Sequence, residues 1–369
     1  MNDRQAYVAF NLTDNVGFAT VRELVVKAGS VVAAWESYPK KVSRTGGEVD
    51  WEDEFATAEK FGVEIVTPVD EAYPRMLRDA PGAPLALYVK GDVKALAKPM
   101  IAMIGTRRAT TYGRDLANRL SYDLCKAGWG SVAGRALGID GEAHRGALEA
   151  GGVTVGVIGS GLDRFYPEEN RELAREMVKK GGAVVSEFPF GRPPDRDTFP
   201  IRNHVVAALA RGVVAVEAPE RSGTLITTGI AADLGRTVMA VPARVDNRMS
   251  SGCLKLIREG AILVRNADAI LEALSELLPR TTQKESSAVR LPTTTTTDPE
   301  TPPYSVEEAM VMLHVDADGV TIDELVRKTK LSVDRVNALA MSLRIKGFIR
   351  FLPGNRVALC RGESKTGTL

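Results

Sequence analysis

Two hydrophobic periods alternate along the middle of the chain. Short apolar runs at 85–89, 100–104, 130–133, 153–157, 183–186, 213–216, 237–241 and 261–264 are mostly rich in valine, isoleucine or alanine, bounded by glycine or proline, and separated by amphipathic stretches. Runs this short that are apolar on both faces predict buried parallel strands. Between the second and third runs, Leu116, Leu120 and Leu124 recur every four positions, which predicts one face of a helix ending near Gly128. A further helix is expected from Glu142 to Ala150. Strands alternating with helices over residues 76–278 predict an α/β fold, a doubly wound and mostly parallel sheet.

The flanks follow other patterns. Residues 1–75 read as a small helical domain, in which the Val16-Gly17 turn precedes an amphipathic helix, as in helix-hairpin-helix units. Residues 279–303 contain five consecutive threonines and flanking prolines and predict an extended linker. From 304 to 361 the pattern predicts three helices and a hairpin, a winged helix. Capping-box spacings start the first two helices (Ser305 with Glu308, Thr321 with Glu324), and the third buries Val336, Leu339 and Leu343. Residues 362–369 are a tail.

Composition narrows the class without naming a ligand. The 369 residues are 44% hydrophobic and 26% charged, with a net charge of +1, so any polyanion must be held by local patches. The winged-helix segment has nine Lys/Arg against seven Asp/Glu, a weak footprint for duplex DNA. Cys125, Cys253 and Cys360 stand far apart, as do His144, His204 and His314, so neither disulfides nor a metal site is expected. No apolar run is long enough to span a membrane, and the N-terminus has no apolar signal core; a reduced, cytoplasmic protein is expected.

Four turns end predicted strands and face one way in a parallel sheet: Gly105-Thr106-Arg107-Arg108, the segment from Gly134 to Asp140, Gly159-Ser160-Gly161, and the segment from Glu217 to Thr224. Ligands in such folds sit at those strand ends. None of the four matches a dinucleotide or nucleoside-triphosphate fingerprint, so no cofactor is expected. Each glycine singly is explained by a tight strand-to-helix connection. Together, with Arg107, Arg108, Arg135 and Ser222 beside them, they predict an anion-lined crevice. Phe199, Arg202, Asn203 and His204 add a ring for stacking and groups for phosphate and base edges, the equipment of single-strand binders. The other reading puts Phe199 in the core and pairs Arg202 with a carboxylate. Asp140 and Glu217 are expected to orient neighbours, and His144 to be a satisfied core histidine.

These residues give the chain a resemblance to the DprA/Smf (DNA processing protein A) family over nearly its whole length. The matching stretches are Ile104-Gly105-Thr106-Arg107 with Tyr112-Gly113, Gly138-Ile139-Asp140 with Ala143-His144, Gly161-Leu162-Asp163, Phe199 with Arg202-Asn203, Ser222-Gly223-Thr224-Leu225-Ile226-Thr227, and Gly235-Arg236. The resemblance implies a sterile-alpha-motif-like helical domain, an extended Rossmann-like domain and a winged helix. It also implies a non-enzymatic homodimer that binds incoming single-stranded DNA, displaces single-strand-binding protein and loads RecA during natural transformation. The implied DNA-binding residues are Gly105, Thr106, Arg107, Arg108, Arg135, Gly138, Phe199, Arg202, Asn203, His204, Ser222, Gly223 and Thr224. The chain departs from the family pattern at Leu137 and His204, where members carry a basic residue, and at Ala243 and Leu254. A neutral His204 predicts binding that strengthens as pH falls.

The rival is a nucleotide-binding or nucleoside-monophosphate hydrolase domain with Glu217 as base. Under the first reading, Arg107→Ala with Arg202→Ala is expected to weaken DNA binding with little change in melting temperature.

Overall fold

In this computed structural model the described residues are 1–39, 41–44, 47–134, 138–166, 168–195, 197–275, 306–316, 319–345, 348–352 and 356–359. The chain divides into two units, 1–283 and 284–369. Arg135, Leu137, the 279–303 linker, Ser305, the 353–355 turn, Cys360 and the tail lie outside the described residues.

The first unit is built on nine strands: β1 (Glu64–Val66), β2 (Leu87–Gly91), β3 (Met100–Gly105), β4 (Gly130–Gly134), β5 (Thr154–Val157), β6 (Ala183–Ser186), β7 (Gly212–Glu217), β8 (Thr237–Ala240) and β9 (Ile262–Leu263). They form one sheet in the order β1-β2-β6-β5-β4-β3-β7-β8-β9. From β6 to β9 every pairing is parallel; β1 and β2 are added antiparallel at one edge. Eight strands coincide with the apolar runs. The ninth, β1, is too short at three residues to announce itself. From β3 the chain winds outward through β4, β5 and β6, then returns to place β7 on the other side of β3. The gap between β3 and β7 is therefore the topological switch point, where crossovers leave on opposite faces and open a crevice at the carboxyl ends.

Alternation along β3 supplies both cores. Ile101 and Met103 point to the helix Thr111–Lys126, meeting Leu116, Leu120 and Leu124, while Met100, Ala102 and Ile104 face the side covered by the helices Thr198–Leu209 and Gly223–Asp233. Each fully buried leucine of this kind contributes about 1.5–3 kcal/mol.

Helices Asp3–Leu12, Phe18–Ala28, Val31–Ser37 and Trp51–Phe61 precede the sheet. Phe10 meets Trp35 edge to face at 5.1 Å in their core, and Val8 and Leu12 pack with Ile65 of β1, Tyr88 of β2 and Ala86 just before β2.

In the second unit, helices Val306–Met312, Ile322–Thr329 and Val333–Ile345 pack against a sheet of β10 (Val320–Thr321), β11 (Ile349–Leu352) and β12 (Arg356–Leu359), in the order β10-β12-β11. Val336, Leu339 and Leu343 are buried as their spacing predicts, and the Thr321 hydroxyl accepts from the Glu324 N–H. This is a winged helix. No helix among the described residues is long and apolar enough to cross a membrane.

Candidate nucleic-acid interface

The switch point holds a crevice of about 400 Å³. Four segments meet there: the end of β3 and the turn after it with Gly105, Thr106, Arg107 and Arg108; the β4-to-helix connection with Gly134 and Asp140; the helix Thr198–Leu209 with Phe199, Arg202, Asn203 and Val206; and the β7-to-helix connection with Pro219, Arg221, Ser222, Gly223 and Thr224. Positions 199, 202, 203 and 206 follow the i, i+3, i+4, i+7 stripe that puts side chains on one helix face. Among the described residues, four arginines and one carboxylate, Asp140, line the crevice. Its field favours an anion.

Arg107 and Arg108 are exposed at the lip. The Arg107 guanidinium stands 5.2 Å from the centre of the Phe199 ring, and that of Arg202 stands 6.0 Å from the same ring. Phe199, half-buried rather than in the core, therefore has a cation beside it from each of two segments, one at the lip and one in the floor. Arg202 is 7% exposed. Its Nη1 donates to Val157 O at 2.8 Å and its Nε to Asn203 Oδ1 at 3.1 Å. Burial lowers its pKa, the Asp140 carboxylate beside it opposes that shift, and the Arg107 charge adds to it. Gly134 makes this seat: a Cβ there would collide with the Arg202 guanidinium and the Asp140 carboxylate. Arg202 is thus a fixed positive floor, paired as the alternative sequence reading had it, and it is not the free phosphate clamp whose loss would leave the melting temperature unchanged.

The backbone donors divide. The Thr106 N–H donates to Glu217 O at 2.7 Å, so it is satisfied by protein. The Thr106 hydroxyl accepts from the Arg108 N–H at 3.2 Å and fixes the turn. The N–H groups of Gly223 and Thr224, at the start of the helix Gly223–Asp233, have no partner among the described residues, and both residues line the crevice. Ser222 Oγ beside them is shut from solvent with no hydrogen-bond partner among the described residues.

Two expected binders are placed elsewhere. Gly138, at φ +84°, lies beneath the Thr106–Arg107 peptide, where any Cβ would strike both carbonyl oxygens. It supports the turn and presents no group to the crevice. His204 falls off the helix stripe, with Nε2 2.7 Å from Pro81 O and its pKa lowered by burial. It does not line the crevice, so the expected strengthening at low pH loses its structural basis. The Gly159–Gly161 turn also lies outside: Gly161 N–H donates to Arg192 O and Ser160 Oγ–H to Arg164 O. Arg221 was not singled out from sequence, although it immediately precedes Ser222-Gly223-Thr224.

Glu217 is fully buried, and both carboxylate oxygens are occupied: Thr110 N–H donates to Oε2 and Thr110 Oγ–H to Oε1, each at 2.8 Å. The carboxylate anchors the start of the helix Thr111–Lys126, a favourable place for negative charge. It is not presented to the crevice as a base. His144 is buried, with Nε2–H donating to Gly134 O at 2.9 Å and Nδ1 2.7 Å from Thr154 Oγ1, tying β4 to β5. Among the described residues no group of three or more His, Cys, Asp or Glu is arranged to hold a metal.

Residues 64–275 match the family described as DNA recombination-mediator protein A, and residues 295–355 match the DprA winged helix domain. Protein Smf of a Synechocystis strain is 30% identical over 394 aligned positions, covering 96% of this chain and 98% of the relative. DNA processing protein A from Streptococcus pneumoniae superposes with a TM-score of 0.61 at 29% identity, covering 74% of this chain and 98% of that one. DNA processing protein A from Helicobacter pylori, whose structure was described for its single-stranded DNA binding mode, superposes with a TM-score of 0.51 at 29% identity, covering 58% of this chain and 96% of that one.

Proposed function

We propose that this chain, which belongs to the DNA recombination-mediator protein A family, binds single-stranded DNA in the crevice between the ends of β3 and β7. The observation that carries the reading is the Phe199 ring flanked by Arg107 and Arg202 and faced by the open amide end of the helix Gly223–Asp233. Such a site takes a phosphate at the amides and at Arg107, Arg108 and Arg221, and stacks a base on Phe199. Asn203 faces the base edge. Nothing in this reading involves bond making, and the protein acts as a binder rather than an enzyme.

By family likeness the bound strand is protected in the cytoplasm and handed to RecA during natural transformation, with single-strand-binding protein displaced and the protein acting as a homodimer. Each exposed arginine that neutralises a phosphate of a single strand contributes about 0.7 to the slope of log affinity against log salt. Arg107→Ala with Arg108→Ala should therefore flatten the slope by about 1.4 and weaken binding about 25-fold at 0.1 M salt. An unchanged slope in the folded double variant would refute the site. The handover is tested by RecA filament assembly on strands coated with single-strand-binding protein, which the protein should accelerate; no acceleration would refute it.

A further inference from the structure

At the opposite end of the same sheet, outside the amino ends of its parallel strands, lies a wider groove of about 820 Å³. The winding of the fold opens a cleft only at the carboxyl ends, so the topology does not account for this one. Five Lys or Arg side chains line it against three carboxylates. Arg75 is paired with Asp79 at 3.5 Å, whereas Lys94, Lys98 and Arg211 carry no ion pair among the described residues. Beside Arg211 stands Arg236, whose Nη2 donates to Met76 O at 3.1 Å and Ala208 O at 3.2 Å. Burial and then the Arg211 charge lower the Arg236 pKa, and Asp79 offsets only part of this. The Nε atoms of Arg236 and Arg78 are shut from solvent without a partner among the described residues. Guanidinium groups gathered this way repel one another, and a bound anion relieves the repulsion.

We propose that this groove is a second phosphate-binding station for the DNA strand held in the crevice; the inference rests on the single-strand reading above. One observation selects a nucleic acid backbone over an acidic peptide: a single element joins the two sites, the helix Thr198–Leu209, which begins with Phe199 and Arg202 in the crevice and ends with Leu209, just before Arg211, in the groove. Twelve residues of helix span about 18 Å. A duplex strand rises about 3.4 Å per phosphate and an extended single strand about twice that, so about 18 Å is roughly three nucleotides. A strand leaving the crevice along this face reaches the groove within a short oligonucleotide.

The test is the variant Lys94→Ala/Lys98→Ala/Arg211→Ala, all at exposed positions, measured with the full chain against a 20-nucleotide and a 2-nucleotide oligothymidylate over a range of salt. For the 20-mer the slope of log affinity against log salt should flatten by about 2, with about a hundredfold loss at 0.1 M salt. Affinity for the dinucleotide, too short to join the sites, should stay unchanged. The single variant Arg211→Gln, expected to flatten the slope by about 0.7, covers the case in which the triple variant fails to fold. An unchanged 20-mer slope in folded variants overturns the second station while leaving the crevice intact. A parent protein that binds neither oligonucleotide overturns the single-strand reading and this inference with it. A fluorescent oligoglutamate that binds the parent, is lost from the triple variant and leaves 20-mer binding unchanged would reassign the groove to an acidic peptide.

Discussion

Replacing Arg202 with alanine separates a structural cation from a ligand-facing one. The guanidinium is 7% exposed, donates to Val157 O and Asn203 Oδ1, and stands beside the buried Asp140 carboxylate. Removing it deprives the Val157 carbonyl of a donor at a buried position and takes away the positive charge that balances Asp140. Loss of one partner from a buried, hydrogen-bonded charge arrangement costs about 3–5 kcal/mol. In a unit of this size, with about 2–4 °C per kcal/mol, the melting temperature should fall by roughly 6–20 °C. Arg107→Ala, at an exposed site whose only described contact is the face of Phe199, should change stability by about 0.5 kcal/mol or less. Thermal unfolding followed by circular dichroism, with the two single variants beside the parent, reads the contrast. Equal melting temperatures for parent and Arg202→Ala would refute the account of Arg202 as a buried floor. So would an Arg107→Ala variant that melts as low as Arg202→Ala.

Two further outcomes follow from buried carboxylates. Glu217→Ala strands the Thr110 N–H and hydroxyl at the start of the helix Thr111–Lys126, at about 1–3 kcal/mol for the unmade hydrogen bonds, and should lower the melting temperature without creating or removing any nucleoside-monophosphate turnover. Hydrolysis of a nucleoside monophosphate by the parent, abolished in Glu217→Gln, would revive the hydrolase reading. Burial raises the Glu187 carboxyl to about 8, with Arg44 opposing, and its Oε1 has no hydrogen-bond partner among the described residues. The folded state then keeps a proton that the unfolded chain releases near 4.5, so stability should decline from about pH 4.5 to about pH 8, by about 1.4 kcal/mol per pH unit at most. Melting curves across that range should be flatter for Glu187→Gln; identical pH profiles would contradict it.

Periodicity made most of the sheet legible. Apolar runs such as Met100 to Ile104 and the four-residue recurrence of Leu116, Leu120 and Leu124 state their secondary structure directly, because burial on two faces or on one stripe leaves a different pattern. Pairing partners are another matter. Nothing local in Leu87–Gly91 says that it joins β6 antiparallel at the far edge rather than the strand that follows it in the chain. The crevice was legible in residue type, since glycine turns with arginines at strand ends point to anions. What sequence could not show was convergence: Arg202 is buried because Val157 O and Asp140, 45 and 62 positions away, come to it. The misplacement of His204 had a readable signal. Positions 199, 202, 203 and 206 form one helical stripe and 204 falls outside it, but adjacency to Arg202-Asn203 outweighed the geometry.

The central claim is that the crevice tracks the backbone of a single strand. Fluorescence anisotropy of a labelled single-stranded oligonucleotide against the full-length protein at two salt concentrations, with duplex as competitor, tests it most directly. The account predicts binding that weakens steeply with salt and that duplex fails to displace, because Phe199 can stack only an unpaired base. No binding at low salt, or displacement by duplex at equal concentration, would contradict it.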